Sequence, residues 1–216
     1  DATGKIVVAY LVFNSTAPFE QSYRAKTSSD NGVNWSSEII IDSVIADGYL
    51  EYFATNGNGD YYLFTHEASA GGNNWYVYHS ADDGATWSSK ILMSGEDYGS
   101  GLEFNGIGQY SEKNLFNDIV IDGDAIYIVY QSPKQGGGGG DSLWFQKSTN
   151  NGVSWLSDPV ELSSASTVNT NFQIAGLHKS GTNLITVYKQ KQDDKVYSSH
   201  SSNSGTTWTN ENDLSS

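Results

Sequence analysis

Short apolar and aromatic runs, separated by clusters of Gly, Asn, Asp and Ser, recur from one end of the chain to the other. Runs of about four to eight residues rich in Val, Ile, Tyr, Phe and Thr predict β-strands, and the clusters between them predict tight turns. The strands fall into groups of four. One group is predicted at 50–55, 60–66, 74–80 and 90–93, another at 116–121, 125–131, 142–148 and 159–162, and a third at 171–177, 183–189, 195–200 and 210–214. The first group is a strand short. Residues 5–12, 21–27 and 38–42 align with the last three strands of the other groups, and residues 1–4 with the turn before them. The expectation is an all-β chain with almost no helix.

Between the third and fourth strand of every group the same octet returns. It begins at Ser28, Ser80, Ser148 and Ser201, continues through Asp30, Asp82, Asn150 and Asn203 and through Gly32, Gly84, Gly152 and Gly205, and ends at Trp35, Trp87, Trp155 and Trp208. The tryptophans stand 52, 68 and 53 residues apart, a period that marks a repeat architecture. The short Asp or Asn side chain is suited to accept backbone N–H groups two residues on, as in Asx-turns. Glycine can take a positive φ there. The indole folds a large apolar surface back under the turn, so the tryptophans are expected to be largely buried. The octet reads as a structural corner rather than a ligand or metal site.

This Ser-x-Asp/Asn-x-Gly-x-x-Trp pattern resembles the Asp-box, or bacterial neuraminidase repeat, which recurs in sialidases, other glycoside hydrolases, sortilin-like receptors and many secreted propellers. The resemblance covers essentially the whole chain. It implies an all-β propeller of four-stranded antiparallel blades, with repeats at about 1–43, 44–94, 115–163 and 164–216 and an insertion at 94–114. It is specific for fold and says little of function, because the box lies away from the active site in those families. With one strand missing from the first blade, that blade would keep an open edge. The expectation is therefore part of a longer, six-bladed ring, with a small four-bladed ring or closure by a neighbouring subunit as alternatives.

Composition narrows the partners. Net charge is −14, from 25 acidic and 11 basic residues, which disfavours nucleic acid and anionic membrane surfaces. There is no cysteine, hence no disulfide, thiolate metal site or Cys nucleophile. No apolar run is long enough to span a membrane as a helix. No cofactor and no metal site are expected: His66, His79, His178 and His200 lack ligand spacing, and 56–60 reads as a plain hairpin turn rather than a calcium loop. The resemblance suits a secreted or cell-surface protein; the absence of cysteine does not bear on location.

Candidate chemistry sits in the long connections, 13–20, 67–73, 94–114, 132–141 and 190–194, which fall at the opposite end of the blades from the boxes. They carry an acidic and aromatic set: Phe19, His66, Glu67, Tyr98, Glu103, Phe104 and Tyr110. Aromatic faces beside carboxylates suit a neutral glycan, and a protein ligand is the alternative. Glu51 and Asp118, near the starts of their first strands, are the candidate carboxylates if the chain hydrolyses glycosides. The run 136–140 is a glycine tip with no phosphate-loop lysine after it. Sialidases hold the substrate carboxylate with three arginines, whose planar fork lysine lacks. This chain has a single arginine, Arg24, so sialidase activity is not expected. A non-catalytic binding propeller is the first expectation. A hydrolase of neutral polysaccharide, a degenerate sialidase-like enzyme or a fragment of either is the second, and a scaffolding repeat the third.

Overall fold

The computed structural model describes residues 5–13, 21–45, 48–69, 72–93, 116–133, 141–156, 159–163, 172–190, 193–209 and 211–215. These residues form fifteen strands and no helix. The strands build four antiparallel meanders, each hydrogen-bonded in chain order. The first holds β1 (Ile6–Phe13), β2 (Gln21–Ser28) and β3 (Ile39–Ile45). The second holds β4 (Gly48–Thr55), β5 (Tyr61–Ser69), β6 (Gly72–Ser80) and β7 (Ile91–Leu92). The third holds β8 (Phe116–Asp122), β9 (Ala125–Pro133), β10 (Asp141–Ser148) and β11 (Val160–Glu161). The fourth holds β12 (Phe172–Ser180), β13 (Asn183–Gln190), β14 (Lys195–Ser201) and β15 (Asn212–Asp213). The expected strands are all present. The outermost ones shrink to two residues in the last three sheets, because the corner before each returns the chain to its neighbour only briefly.

The chain divides into two compact units. The first contains the first two sheets together with Asn151–Ser154, and the second contains the remainder. In the first unit the sheets meet through Tyr23, Ile45, Leu63 and Tyr78, with Tyr23 and Tyr78 edge-to-face at 5.8 Å. In the second unit the corresponding core is Leu143, Phe145, Leu184 and Tyr188 with their neighbours. Each sheet thus shows two apolar rows. Within each unit, residues of one parity along the second strand face the partner sheet, as the two-residue period of a strand requires.

The four corners share one mechanism. The serine hydroxyl donates to the Asp or Asn Oδ1 at 2.8–3.0 Å in all four. In three, the same oxygen accepts the glycine N–H at 2.9 Å. The Oδ1 atoms of Asp30, Asp82 and Asn203 accept the N–H four residues on, from Asn34, Thr86 and Thr207, each at 2.8 Å. This corrects the Asx-turn expectation of a bond two residues on: the loop is wider, and the serine takes the nearer N–H. The residue before each glycine is also left-handed, with φ of 57° at Asn31, Asp83 and Asn151 and 53° at Ser204.

The expected burial of the tryptophans is corrected as well. Trp87 is half-buried, tilted over Phe53 at 6.2 Å, with its Nε1 donating to the Gly84 carbonyl at 3.1 Å. Trp208 meets the edge of Phe145 at 4.9 Å. Trp35 is 42% exposed, because among the described residues the first sheet has neither a counterpart of Phe53 nor a preceding sheet. The indole that is completely buried is Trp75, which lies in a strand and not in a corner.

Candidate ligand-binding site

Three residues singled out from the sequence, Glu51, His66 and Glu67, come together at one end of the second sheet, away from its corner at Ser80–Trp87. They lie where β4 begins and β5 ends. The register places Tyr49 opposite His66, and His66 opposite Trp75. The result is a ladder of three rings across β4, β5 and β6. Tyr49 stacks on His66 at 4.7 Å and 20°, and His66 leans on Trp75 at 5.3 Å. Trp75 forms the buried floor, whereas Tyr49 at the top is 54% exposed.

Glu51 reaches this ladder because β4 carries a bulge. The pairing slips between Leu50 and Tyr52, leaving Glu51 as the extra residue, and bulges commonly re-aim a side chain in this way. Its Oε1 lies 2.7 Å from His66 Nδ1. The contact lacks the alignment of a hydrogen bond. Glu67 is buried. Its Oε2 accepts a hydrogen bond from Lys90 Nζ at 2.7 Å, and its Oε1 has no partner among the described residues. Burial works against the charge of Lys90, but the hydrogen bond and charge of Glu67 outweigh it and raise the Lys90 pKa. Beneath lies Tyr23, whose hydroxyl donates to the Tyr49 carbonyl at 3.2 Å and whose pKa burial drives upward, with the Glu67, Asp42 and Glu51 charges adding to the rise. The patch thus combines an exposed ring face with a carboxylate–imidazole pair, while Glu67, the next residue of β5, turns to the other face of the sheet with Lys90.

The other sequence candidates fare differently. Phe19, Tyr98, Glu103, Phe104 and Tyr110 lie outside the described residues. Asp118 does not match Glu51 in the repeat. Its ladder partner is Val129, the counterpart of Phe64, so Asp118 corresponds to Tyr52 and the bulge residue of β8 is Asn117. Asp118 Oδ1 accepts the Ile119 N–H and Oδ2 the Leu177 N–H, both at 2.8 Å, which ties β8 to β12 within the second unit. Both oxygens therefore serve the backbone. The two residues missed from the sequence are Tyr49 and Trp75. The signal for them was the alternation of 49, 51 and 53 along one strand and the run of aromatics at 75–79.

Other polar groups are committed locally. Arg24 pairs with Glu38, which also accepts from Tyr10 at 2.8 Å. His79 Nε2 lies 2.8 Å from Asp60 and its ring stacks on Tyr62. A shallow cleft of about 380 Å³ opens between the first two corners, beside Trp35. Its carboxylates are taken, Asp30 by Asn34, Asp82 by Thr86 and Asp83 by Lys5. Residues 56–60 form a plain turn in which Asn56 Oδ1 accepts from the Asn58 N–H at 2.8 Å. Among the described residues no group of three His, Asp or Glu side chains is placed to hold a metal, and no helix is long and apolar enough to cross a membrane.

No family sequence model matches the chain, and no curated protein matches it in sequence. Its fold does match solved structures. An α-L-arabinanase from Penicillium chrysogenum complexed with arabinobiose aligns over 95% of this chain and 62% of its own, at 15% identity and a TM-score of 0.54. An α-L-arabinofuranosidase from Fusarium graminearum with an iminosugar inhibitor aligns over 97% and 63%, at 13% identity and a TM-score of 0.54. A variant of the NanB sialidase of Streptococcus pneumoniae aligns over 99% and 50%, at 9% identity and a TM-score of 0.55. At these identities the likeness establishes the fold, an Asp-box β-propeller of sialidase-like kind. The chain spans between half and 63% of the length of these proteins.

Proposed function

We propose that this chain is a carbohydrate-binding β-propeller whose ligand is a neutral glycan seated on Tyr49. The observation that carries this reading is the exposed Tyr49 ring, held flat by His66 and buttressed by Trp75, with Glu51 paired to His66 beside it. A pyranose or furanose lays its C–H face on such a ring, while its hydroxyls donate to carboxylate oxygens. An acidic patch on a chain of net charge −14 disfavours anionic sugars. With a single arginine, itself paired with Glu38, the patch has no planar clamp for a sialic acid carboxylate.

A second reading is glycoside hydrolysis. Glu51 stands beside the Tyr49–His66 stack, and the structural matches are enzymes acting on glycans. Titration calorimetry with arabinobiose and with sialyllactose, together with release of nitrophenol from aryl arabinofuranoside and aryl sialoside, separates the readings. Binding of the neutral sugar that Tyr49→Ala abolishes, without turnover, supports the binding protein. Turnover lost in Glu51→Gln supports the hydrolase. Binding restricted to sialyllactose, or sialoside turnover lost in Arg24→Ala, overturns both.

A further inference from the structure

Asparagine is followed directly by glycine at Asn31, Asn56, Asn58, Asn105 and Asn151. Glycine has no side chain to shield its nitrogen, so each pair exposes the asparagine carboxamide to attack by the next backbone nitrogen. All but the Asn105 pair lie among the described residues, and the fold treats them differently.

Three of the described pairs are held. In the first corner the Gly32 N–H donates to Ser28 Oγ at 2.9 Å, and Asn31 is fixed in the left-handed conformation at φ 57°. In the third corner Asn151 has the same φ, and its Oδ1 accepts the Tyr62 hydroxyl at 2.7 Å within the first unit, which draws the carboxamide towards β5. In the turn between β4 and β5 the Gly57 N–H donates to Thr55 Oγ1 at 3.0 Å. The Asn56 carboxamide is tied at both ends, with Oδ1 accepting the Asn58 N–H at 2.8 Å and Nδ2 donating to Asp60 Oδ2 at 2.6 Å. Asn58 and Gly59 are the exception. The Asn58 side chain is exposed, and neither its carboxamide nor the Gly59 N–H has a hydrogen-bond partner among the described residues. A Cβ at Gly57 would meet no heavy atom within 4 Å, so the crown of the turn has room for a ring to close.

We propose that Asn58–Gly59 is a site of self-modification, at which folded chain converts asparagine to aspartate and isoaspartate without an enzyme while the other described pairs stay intact. The Gly59 nitrogen passes its proton to water and bonds to Asn58 Cγ; the Cγ–Nδ2 bond breaks and ammonia leaves. Water then opens the cyclic imide at either carbonyl, giving aspartate or, with an extra methylene in the backbone, isoaspartate. Nothing is oxidised or reduced, and water is the only co-reactant. The product has a place to act. The Gly59 carbonyl accepts the Asp83 N–H at 3.0 Å, and the Asp83 carboxylate pairs with Lys5, just ahead of β1. A lengthened backbone displaces that carbonyl, and the new carboxylate adds negative charge beside Asp60 and Asp83. The modification therefore loosens the second corner where it meets the first sheet. It does not depend on any reading of the ligand site.

The test is peptide mapping with fragment-ion sequencing during incubation of the folded chain at mildly alkaline pH, with a parallel incubation in guanidinium chloride. In the folded chain Asn58 should deamidate at least about tenfold faster than Asn31, Asn56 or Asn151, because each of those must first break a hydrogen bond. In denaturant the four rates should converge, since the protection is lost with the fold. Ser28→Ala removes the acceptor of the Gly32 N–H and should bring Asn31 up towards the Asn58 rate, while Asn56 and Asn151 stay slow and so report that the variant is folded. The denaturation midpoint of the parent should fall as isoaspartate accumulates, and Asn58→Gln should hold its midpoint over the same incubation. Equal rates at the four pairs in the folded chain, or one of the other three leading, overturns the inference. A midpoint that falls alike in the parent and in Asn58→Gln overturns the effect on the corner.

Discussion

Gly84 and Gly57 form a matched pair on which the corner mechanism can be tested. Both hold φ at +79°, so replacing either by alanine forces a side chain into the same left-handed conformation, at about 1–2 kcal/mol. Their surroundings differ. A Cβ at Gly57 has no heavy atom within 4 Å, whereas one at Gly84 would lie 2.7 and 3.0 Å from the two Val7 methyls and 3.3 Å from the Thr27 methyl. Forcing a methyl into packed surroundings adds about 1–3 kcal/mol. Gly84→Ala should therefore cost about 2–5 kcal/mol and Gly57→Ala about 1–2. Urea unfolding at constant slope reads both. Val7→Ala in the Gly84→Ala background removes the nearest methyls and should recover part of the loss, a coupling that a double-mutant cycle measures directly. Equal losses at Gly84 and Gly57, or no coupling with Val7, would show that the corner does not seat on the preceding sheet.

The other expectations follow the same geometry. Trp75→Ala, at a fully buried indole, should cost about 3–5 kcal/mol, and Trp87→Ala, half-buried over Phe53, about 2 kcal/mol by the same denaturation assay. Asp118→Ala should lower stability by about 1–3 kcal/mol by leaving the Leu177 and Ile119 N–H groups unmet, and should leave any glycan binding or turnover of the folded protein unchanged. The Thr86 hydroxyl, helped by backbone N–H groups and the Ser80 hydroxyl, holds the Asp82 pKa below its usual value, and the Asn34 N–H does the same for Asp30. A folded pKa that is depressed gives stability above the unfolded carboxylate pKa, near about 4, that is lost as pH falls through the folded value. Asp82→Asn should therefore flatten the acid limb of an unfolding-versus-pH curve, because Asn203 already shows the substitute bond, Nδ2 to Thr207 Oγ1 at 2.9 Å.

The corners were legible in the sequence because the serine and Asp or Asn side-chain bonds that fold them span four residues or fewer. Serine, carboxamide or carboxylate, glycine and tryptophan announce themselves at fixed offsets, and so did the strand groups around them. What spacing alone did not show was the direction of the hydrogen bonds, since an oxygen two residues before an N–H and one four residues before it look alike in a string. The left-handed residue before the glycine was visible as Asn31, Asp83 and Asn151 but was obscured by Ser204. The site was legible only in pieces. Glu51, His66 and Glu67 drew notice singly. Their convergence depends on a bulge that shifts β4 by one residue and on the length of the β5–β6 hairpin, neither of which the local pattern fixes. Asp118 was grouped with Glu51 because both stand near the starts of their first strands, whereas its ladder partner Val129 makes it the counterpart of Tyr52.

Corner and ligand site stand at opposite ends of the second sheet, and this makes stability and binding separable. Trp75, in the site ladder, and Ser80, in the corner, lie five residues apart on β6, about 17 Å along an extended strand. Strands β4, β5 and β6 run between them, and Trp87 itself packs on Phe53 of β4, two residues beyond Glu51. Substitutions that far apart with no shared partner act nearly independently. Trp87→Ala should thus lower the unfolding midpoint while the remaining folded protein binds a neutral glycan as before. Tyr49→Ala, at an exposed ring, should leave the midpoint within about 0.5 kcal/mol and weaken binding at least tenfold, the scale of a lost stacking platform. Calorimetric titration and thermal unfolding on the same two preparations decide the matter. If Trp87→Ala changed affinity in the folded protein, the corner would have to shape the ligand site. If Tyr49→Ala cost stability and spared affinity, the exposed ring would be a packing element, and the glycan would have to be sought on another surface.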